Sequence, residues 1–163
     1  MEPIPFERVR AEILQLLDET FEHHHGIYLD RGTSCLETLE PVTAEEASRP
    51  ASDRSASVAA HVQHVTFYLR VLQKAIHKEP LGVIDWREIW QKARPVKPEE
   101  WDVIREELRE EYANTLALLN APETWDGDVS LWGSLAIVVH TAYHLGAIRQ
   151  ALAVVRSAQA ARA

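Results

Sequence analysis

Two histidines, His140 and His144, stand four residues apart in the most apolar stretch of the chain, LAIVVHTAYHLGAI. On a helix this spacing places both side chains on one face, one turn apart. Two imidazoles so placed can grip a single divalent ion, and zinc and other first-row ions favour imidazole nitrogen. Burying two polar rings among apolar neighbours is unfavourable unless something satisfies them. A metal would do so, and so would hydrogen bonds to backbone or buried polar groups. A second pair, His61 and His64, lies in HVQHVTFYL. Val58, Val62, Val65 and Leu69 set the apolar stripe there, and both histidines flank it, so phase alone selects neither. A third ligand from this helix would give a three-histidine site with open positions, the catalytic type. Such an ion lowers the pKa of bound water and holds a bound thiol as thiolate.

Other metal and catalytic patterns fail. A di-iron bundle needs Glu-x-x-His pairs with further Glu residues, and the helix bearing His140 and His144 has no such Glu. A zincin needs His-Glu-x-x-His, whereas Thr141, Ala142 and Tyr143 intervene here. No G-x-S-x-G, phosphate loop or dinucleotide fingerprint occurs, and no side chain stands out as a general base.

The remaining candidates point to structure. His23, His24 and His25 are consecutive, so their side chains fan round a helix and read as a solvated cluster. His77, near a lysine-rich helix end, complements the dipole there. Cys35, the single cysteine, has no internal partner and reads as an inert loop residue. Of five tryptophans, most should pack the core; Trp132, two turns before His140, is a candidate pocket wall. Tyr143 either points into the site or fills the core. Asp126 and Asp128 read as caps of the last helix, and Glu106, Glu107, Glu110 and Glu111 as a solvated face.

Four long helices must position these groups. The first runs over Pro5–Tyr28, with Phe6, Val9, Ile13, Leu16, Leu17 and Phe21 on one face. A long connection follows from Asp30 to Ala56, with one helical turn at Thr43–Ala47, where Thr43 and Glu46 have capping-box spacing. The second helix starts near Ser55 or Ser57, runs past Ile76 and is ended by Pro80 and Gly82. A short helix is predicted over Asp85–Lys92. The third opens at Pro98, a favoured first-turn residue, and stops at Pro122. The fourth begins near Asp128 or Ser130 and runs to about Ser157; its middle is apolar almost all round, which predicts burial on several sides. Gly146 inside it predicts the close approach of another helix, since glycine there costs about 1 kcal/mol. Strand-like alternation is absent, and the fold class is all-α, one domain over 1–163.

A formal net charge of −8 argues against binding nucleic-acid phosphates or an anionic membrane surface. No continuous apolar run has the ~18 residues of a membrane span, and the N-terminus does not read as a signal peptide. The cytoplasm is the expected compartment.

His61-Val-Gln-His64-Val-Thr-Phe67-Tyr68-Leu69, followed by His140-Thr-Ala-Tyr143-His144-Leu-Gly146-Ala-Ile148, resembles the DinB/YfiT-like superfamily of metalloenzymes. The second block matches that family's H-x-x-Y-H-x-G-x-I, and the likeness extends to helix order and the long first connection. It implies an up-down-down-up four-helix bundle, often dimeric, with a metal at one end. The family's pattern E-H-x-x-H-L-x-F-W places its ligand on the second histidine. In this register that is His64, with Phe67 and Tyr68 where the family has Phe-Trp. His61 is then the alternative ligand. Ala60 stands where many relatives carry a glutamate, so a supporting carboxylate is missing.

The resulting expectation is a metal-dependent transferase or hydrolase acting on a small molecule. Zn²⁺ or Ni²⁺ would sit on His64, His140 and His144 and activate water or a low-molecular-weight thiol, the thiol because some relatives are S-transferases or isomerases that use one. The alternative is a non-catalytic bundle that binds a metal or a ligand.

Overall fold

The computed structural model describes residues 3–87, 90, 94–125 and 127–161. Among them the chain is all-helical apart from an isolated bridge between Pro50 and Ser57. The helices are α1 (Phe6–Phe21), α2 (Cys35–Leu39), α3 (Ala44–Ser48), α4 (Val58–Ile76), α5 (Pro98–Asn120) and α6 (Asp128–Ala160), with a 3₁₀ turn at Pro122–Trp125.

Helix α1 ends at Phe21, a full two turns before the predicted Tyr28. The cause is Glu19. Its carboxylate is fully buried and accepts the backbone N–H groups of His25, Gly26, Ile27 and Tyr28 at 2.7–3.2 Å. These bonds pull the chain out of the helix, and Gly26 takes the positive φ of +76° that the turn requires. The Tyr28 hydroxyl then closes the loop on Thr20 Oγ1 at 2.6 Å.

The long connection holds two short helices rather than one turn. α3 starts at the expected capping box of Thr43 and Glu46. α2 has a capping box of its own, Ser34 with Glu37. Cys35 therefore sits at the buried start of α2, not in a loop. α4 is capped by Ser57 and stops at Ile76, before Pro80, where Lys78 takes a φ of +60°. The short helix expected over Asp85–Lys92 lies partly outside the described residues. α5 opens with Pro98 in its first turn, as expected. At α6 the N-cap is Gly127, and Asp128 is a first-turn acid with no capping bond. Asp126 lies outside the described residues.

Contacts between side chains fix the helix directions. Arg10 bonds the carbonyls of Leu119 and Asn120, while Tyr112 bonds Asp18, so α1 and α5 are antiparallel. Arg70 and Gln73 reach Glu107, Glu111 and Thr115 in ascending order, so α4 and α5 are parallel. His61 meets His144, His64 meets His140, and Ile76 meets Gly133, so α4 and α6 are antiparallel. The core between them holds Leu17, Phe21, Leu69, Trp101, Leu108, Ile137 and Ile148, and fully burying such a side chain stabilises by about 1.5–3 kcal/mol. Trp101 also donates its indole N–H to the Val42 carbonyl at 2.7 Å, tying the connection to α5.

α6 departs from its expected burial. One face, Leu135, Val139, Tyr143 and Val154, remains exposed. Gly146 lies on this face, and a Cβ added there would meet nothing within 4 Å, so among the described residues no helix makes the expected close approach. The close approach occurs instead at Gly133, where a Cβ would stand 3.3 Å from Ile76 Cγ1. By length and composition α6 could cross a membrane, yet 44% of its most apolar window is buried inside the molecule.

Candidate metal centre

α4 and α6 bring four histidines together. The Nε2 atoms of His64 and His140 face each other at 3.1 Å. The Nδ1 atoms of His61 and His144 do the same at 3.0 Å. His64, His140 and His144 each offer one nitrogen such that all three atoms lie within 4.8 Å of one another. Their positions follow from helical phase. His140 and His144 share a face across one turn, and antiparallel packing sets His64 against the first and His61 against the second.

Aromatic rings hold this group. Tyr68 stacks on His140 with centroids 3.6 Å apart and planes 11° from parallel. Trp90 packs against His64 at 4.5 Å, His61 at 5.4 Å and His144 at 6.0 Å. His64 and His144 are buried, while His61 and His140 are half-buried.

The environment keeps the imidazoles uncharged. Burial, followed by the neighbouring histidines, pushes His144 down to about 3. Burial and then His64 push His140 down to about 4. Burial lowers His64, and burial followed by His64 lowers His61. Neutral imidazole is the form that binds a metal.

The donor set fits an ion. In a tetrahedral site with Zn–N bonds of about 2.0–2.1 Å, two ligand nitrogens stand roughly 3.3 Å apart, close to the His64–His140 separation. Among the described residues the buried Nδ1 atoms of both histidines and the Thr141 hydroxyl find no partner. Such orphaned groups are unfavourable by about 1–3 kcal/mol each, and an ion between the facing Nε2 atoms would leave them unpaired, so the fit rests on the spacing and the neutral imidazoles.

The other expected site residues are arranged differently. Tyr143 is 73% exposed on the outer face of α6, its ring edge-on to His144. Trp132 is half exposed and, among the described residues, makes no ring contact with the histidines. The tryptophan against the site is Trp90, in the segment between α4 and α5. Its sequence neighbours carry no metal-site signal, so only the packing identifies it. Trp90 also lines a cavity of about 620 Å³ together with Ser48, Ser55, Ser57, Arg54 and Arg94.

The consecutive histidines stay apart from this centre. His23 and His25 bond opposite oxygens of Asp18 at 3.1 and 2.5 Å, and Tyr112 bonds the same carboxylate. Asp18, Glu22 and His23 form a partly exposed group that is satisfied as an ion-pair network. Cys35 is 1% exposed and burial pushes its thiol up to about 12, which disfavours the reactive thiolate.

No family model matches the chain, and no curated protein or solved structure is significantly similar to it.

Proposed function

We propose that this chain is a divalent-metal-dependent enzyme of the DinB/YfiT-like kind, with the ion held by His64, His140 and His144. The helix directions support an up-down-down-up four-helix bundle: α1 antiparallel to α5, α5 parallel to α4, and α4 antiparallel to α6. The observation that carries the metal reading is the convergence of three neutral, largely buried imidazoles from two helices.

Bound there, Zn²⁺ or Ni²⁺ would supply Lewis acidity, activating water or holding a low-molecular-weight thiol as thiolate. The chain's own residues would do the rest. Three histidines leave coordination positions open. Tyr68 fixes the ring plane of His140. Trp90 covers the group; the cavity of small-molecule size that it also borders has none of the four histidines in its lining.

The test is metal content of protein purified without an affinity tag, beside the His64→Ala, His140→Ala and His24→Ala variants. About one ion per chain is expected, as a three-ligand site holds, lost in the first two variants and kept in the third. A panel of thiol-transfer and hydrolytic reactions on the loaded protein follows, with His144→Ala expected to abolish turnover. No bound metal, and no stabilisation by added Zn²⁺ or Ni²⁺, would overturn the reading.

A second reading is a non-catalytic bundle with the metal as a structural tie. The closeness of His61 to His144 and the cover given by Trp90 favour it. Cobalt substitution separates the two, because an added thiol shifts the absorption bands only where a coordination position is open. We also infer that two copies pair through the exposed Leu135–Val139–Tyr143 face of α6; a monomer mass in light scattering would contradict this.

A further inference from the structure

Three ligands leave the fourth histidine without a task. His61 lies just short of one helical turn before His64 on α4. Its Nδ1 faces His144 Nδ1 at 3.0 Å, and its ring meets Trp90 nearly edge-on at 77°. Two imidazole nitrogens at this distance bond only when one carries the proton and the other a lone pair. A histidine that gives one ring nitrogen to an ion in its neutral form carries its proton on the other. His144 Nδ1 is engaged with His61, which leaves Nε2 for the ion.

We propose that His61 is a positioning residue for the metal centre: its Nδ1 accepts the proton of His144 Nδ1–H and so fixes Nε2 of His144 as the ligating atom. This rests on the metal reading above. A carboxylate or a backbone carbonyl normally holds a ligating histidine in this way. Here no carboxylate bonds any of the four histidines among the described residues. Ala60, buried beside His61, offers no polar group. Among the described residues the Nδ1 atoms of His64 and His140 have no hydrogen-bond partner, so His144 is the ligand held from behind. A neutral acceptor transfers less electron density to the ligand than a carboxylate does, and leaves the ion the stronger Lewis acid.

The experiment measures Zn²⁺ and Co²⁺ affinity of the full chain by chelator competition, for the wild type, His61→Ala, His61→Asn and His64→Ala. Circular dichroism of the metal-free proteins establishes that each variant folds. His61→Ala is expected to weaken binding about 10–100-fold while the cobalt bands keep the pattern of three nitrogen ligands. His61→Asn, whose side-chain oxygen occupies the place of Nδ1, is expected to restore most of the loss. Equal affinity in wild type and His61→Ala overturns the proposal, and so does an asparagine variant no better than alanine. Loss as complete as in His64→Ala would make His61 a ligand and overturn it as well. A wild-type chain that binds no ion fails the metal reading itself, a result distinct from all of these.

Discussion

The Nε2 atoms of His64 on α4 and His140 on α6 face each other at 3.1 Å, although 76 residues separate them in the chain. Without an ion one nitrogen must donate to the other, whereas an ion between them would engage the lone pairs of both. Added metal is therefore expected to stabilise the native state. At a free concentration 100 times the Kd the gain is about 2.7 kcal/mol, and at roughly 2–4 °C per kcal/mol for a chain of this size the Tm rises accordingly. Scanning calorimetry with and without Zn²⁺ checks this, and His140→Ala should show no rise.

Trp90 touches three of the four histidines. Trp90→Ala is expected to leave the ligand set intact but to open it to solvent. Stopped-flow removal of Ni²⁺ by a chelator should then run at least several-fold faster than in the wild type, with equal metal content at the start. An unchanged rate would mean that Trp90 does not limit access.

Glu19 is fully buried and accepts bonds from four consecutive backbone N–H groups. Burial raises its pKa, but these bonds outweigh burial and hold it below its ordinary value. The unfolded chain therefore binds the proton more readily than the native one, and stability rises with pH through that interval. The contribution is present above the unfolded value near 4.3 and is lost as pH falls through the native value. Glu19→Gln should remove this dependence and destabilise by about 1–3 kcal/mol at neutral pH. Urea midpoints between pH 3 and 7 for both proteins measure it.

Gly146 and Gly133 lie in the same helix but in opposite surroundings. Nothing stands within 4 Å of a Cβ at Gly146, so Gly146→Ala should stabilise by about 0.5–1 kcal/mol through helix propensity. At Gly133 the added methyl meets Ile76 at 3.3 Å, and the same substitution should gain less or lose stability. Thermal unfolding of the two variants compares them. A loss at Gly146 at high protein concentration alone would show that a second chain approaches that face.

Cys35 is buried with its thiol pushed up to about 12, so almost no thiolate exists at neutral pH. Native protein should resist a thiol reagent at pH 8 and react with it fully in denaturant. Reaction of the folded protein at the rate of a free thiol would contradict the burial of α2.

Spacing along the chain made much of this legible. The i, i+4 pair His140 and His144 announces a shared face whatever the tertiary fold, because helical phase is a local property. The stripe through Val58, Val62, Val65 and Leu69, the capping box at Thr43 and Pro98 in the first turn of α5 act over a few residues, and each stands where it was expected. The end of α1 was legible only in part. Gly26 marks an end or kink of the helical pattern, but the capture of the following amides by Glu19 ends the helix earlier, at Phe21.

The partners across helices were decided by packing alone. His61 and His64 flank the same stripe, and nothing local says which faces which histidine of α6. The antiparallel register of α4 and α6, set where Gly133 admits Ile76, aligns His64 with His140 and His61 with His144. Trp90 entered the site, and Trp132 and Tyr143 stayed at the surface, for the same reason. A sequence fixes which face of a helix a side chain occupies, but which faces meet depends on the shapes and volumes of side chains far apart in the chain.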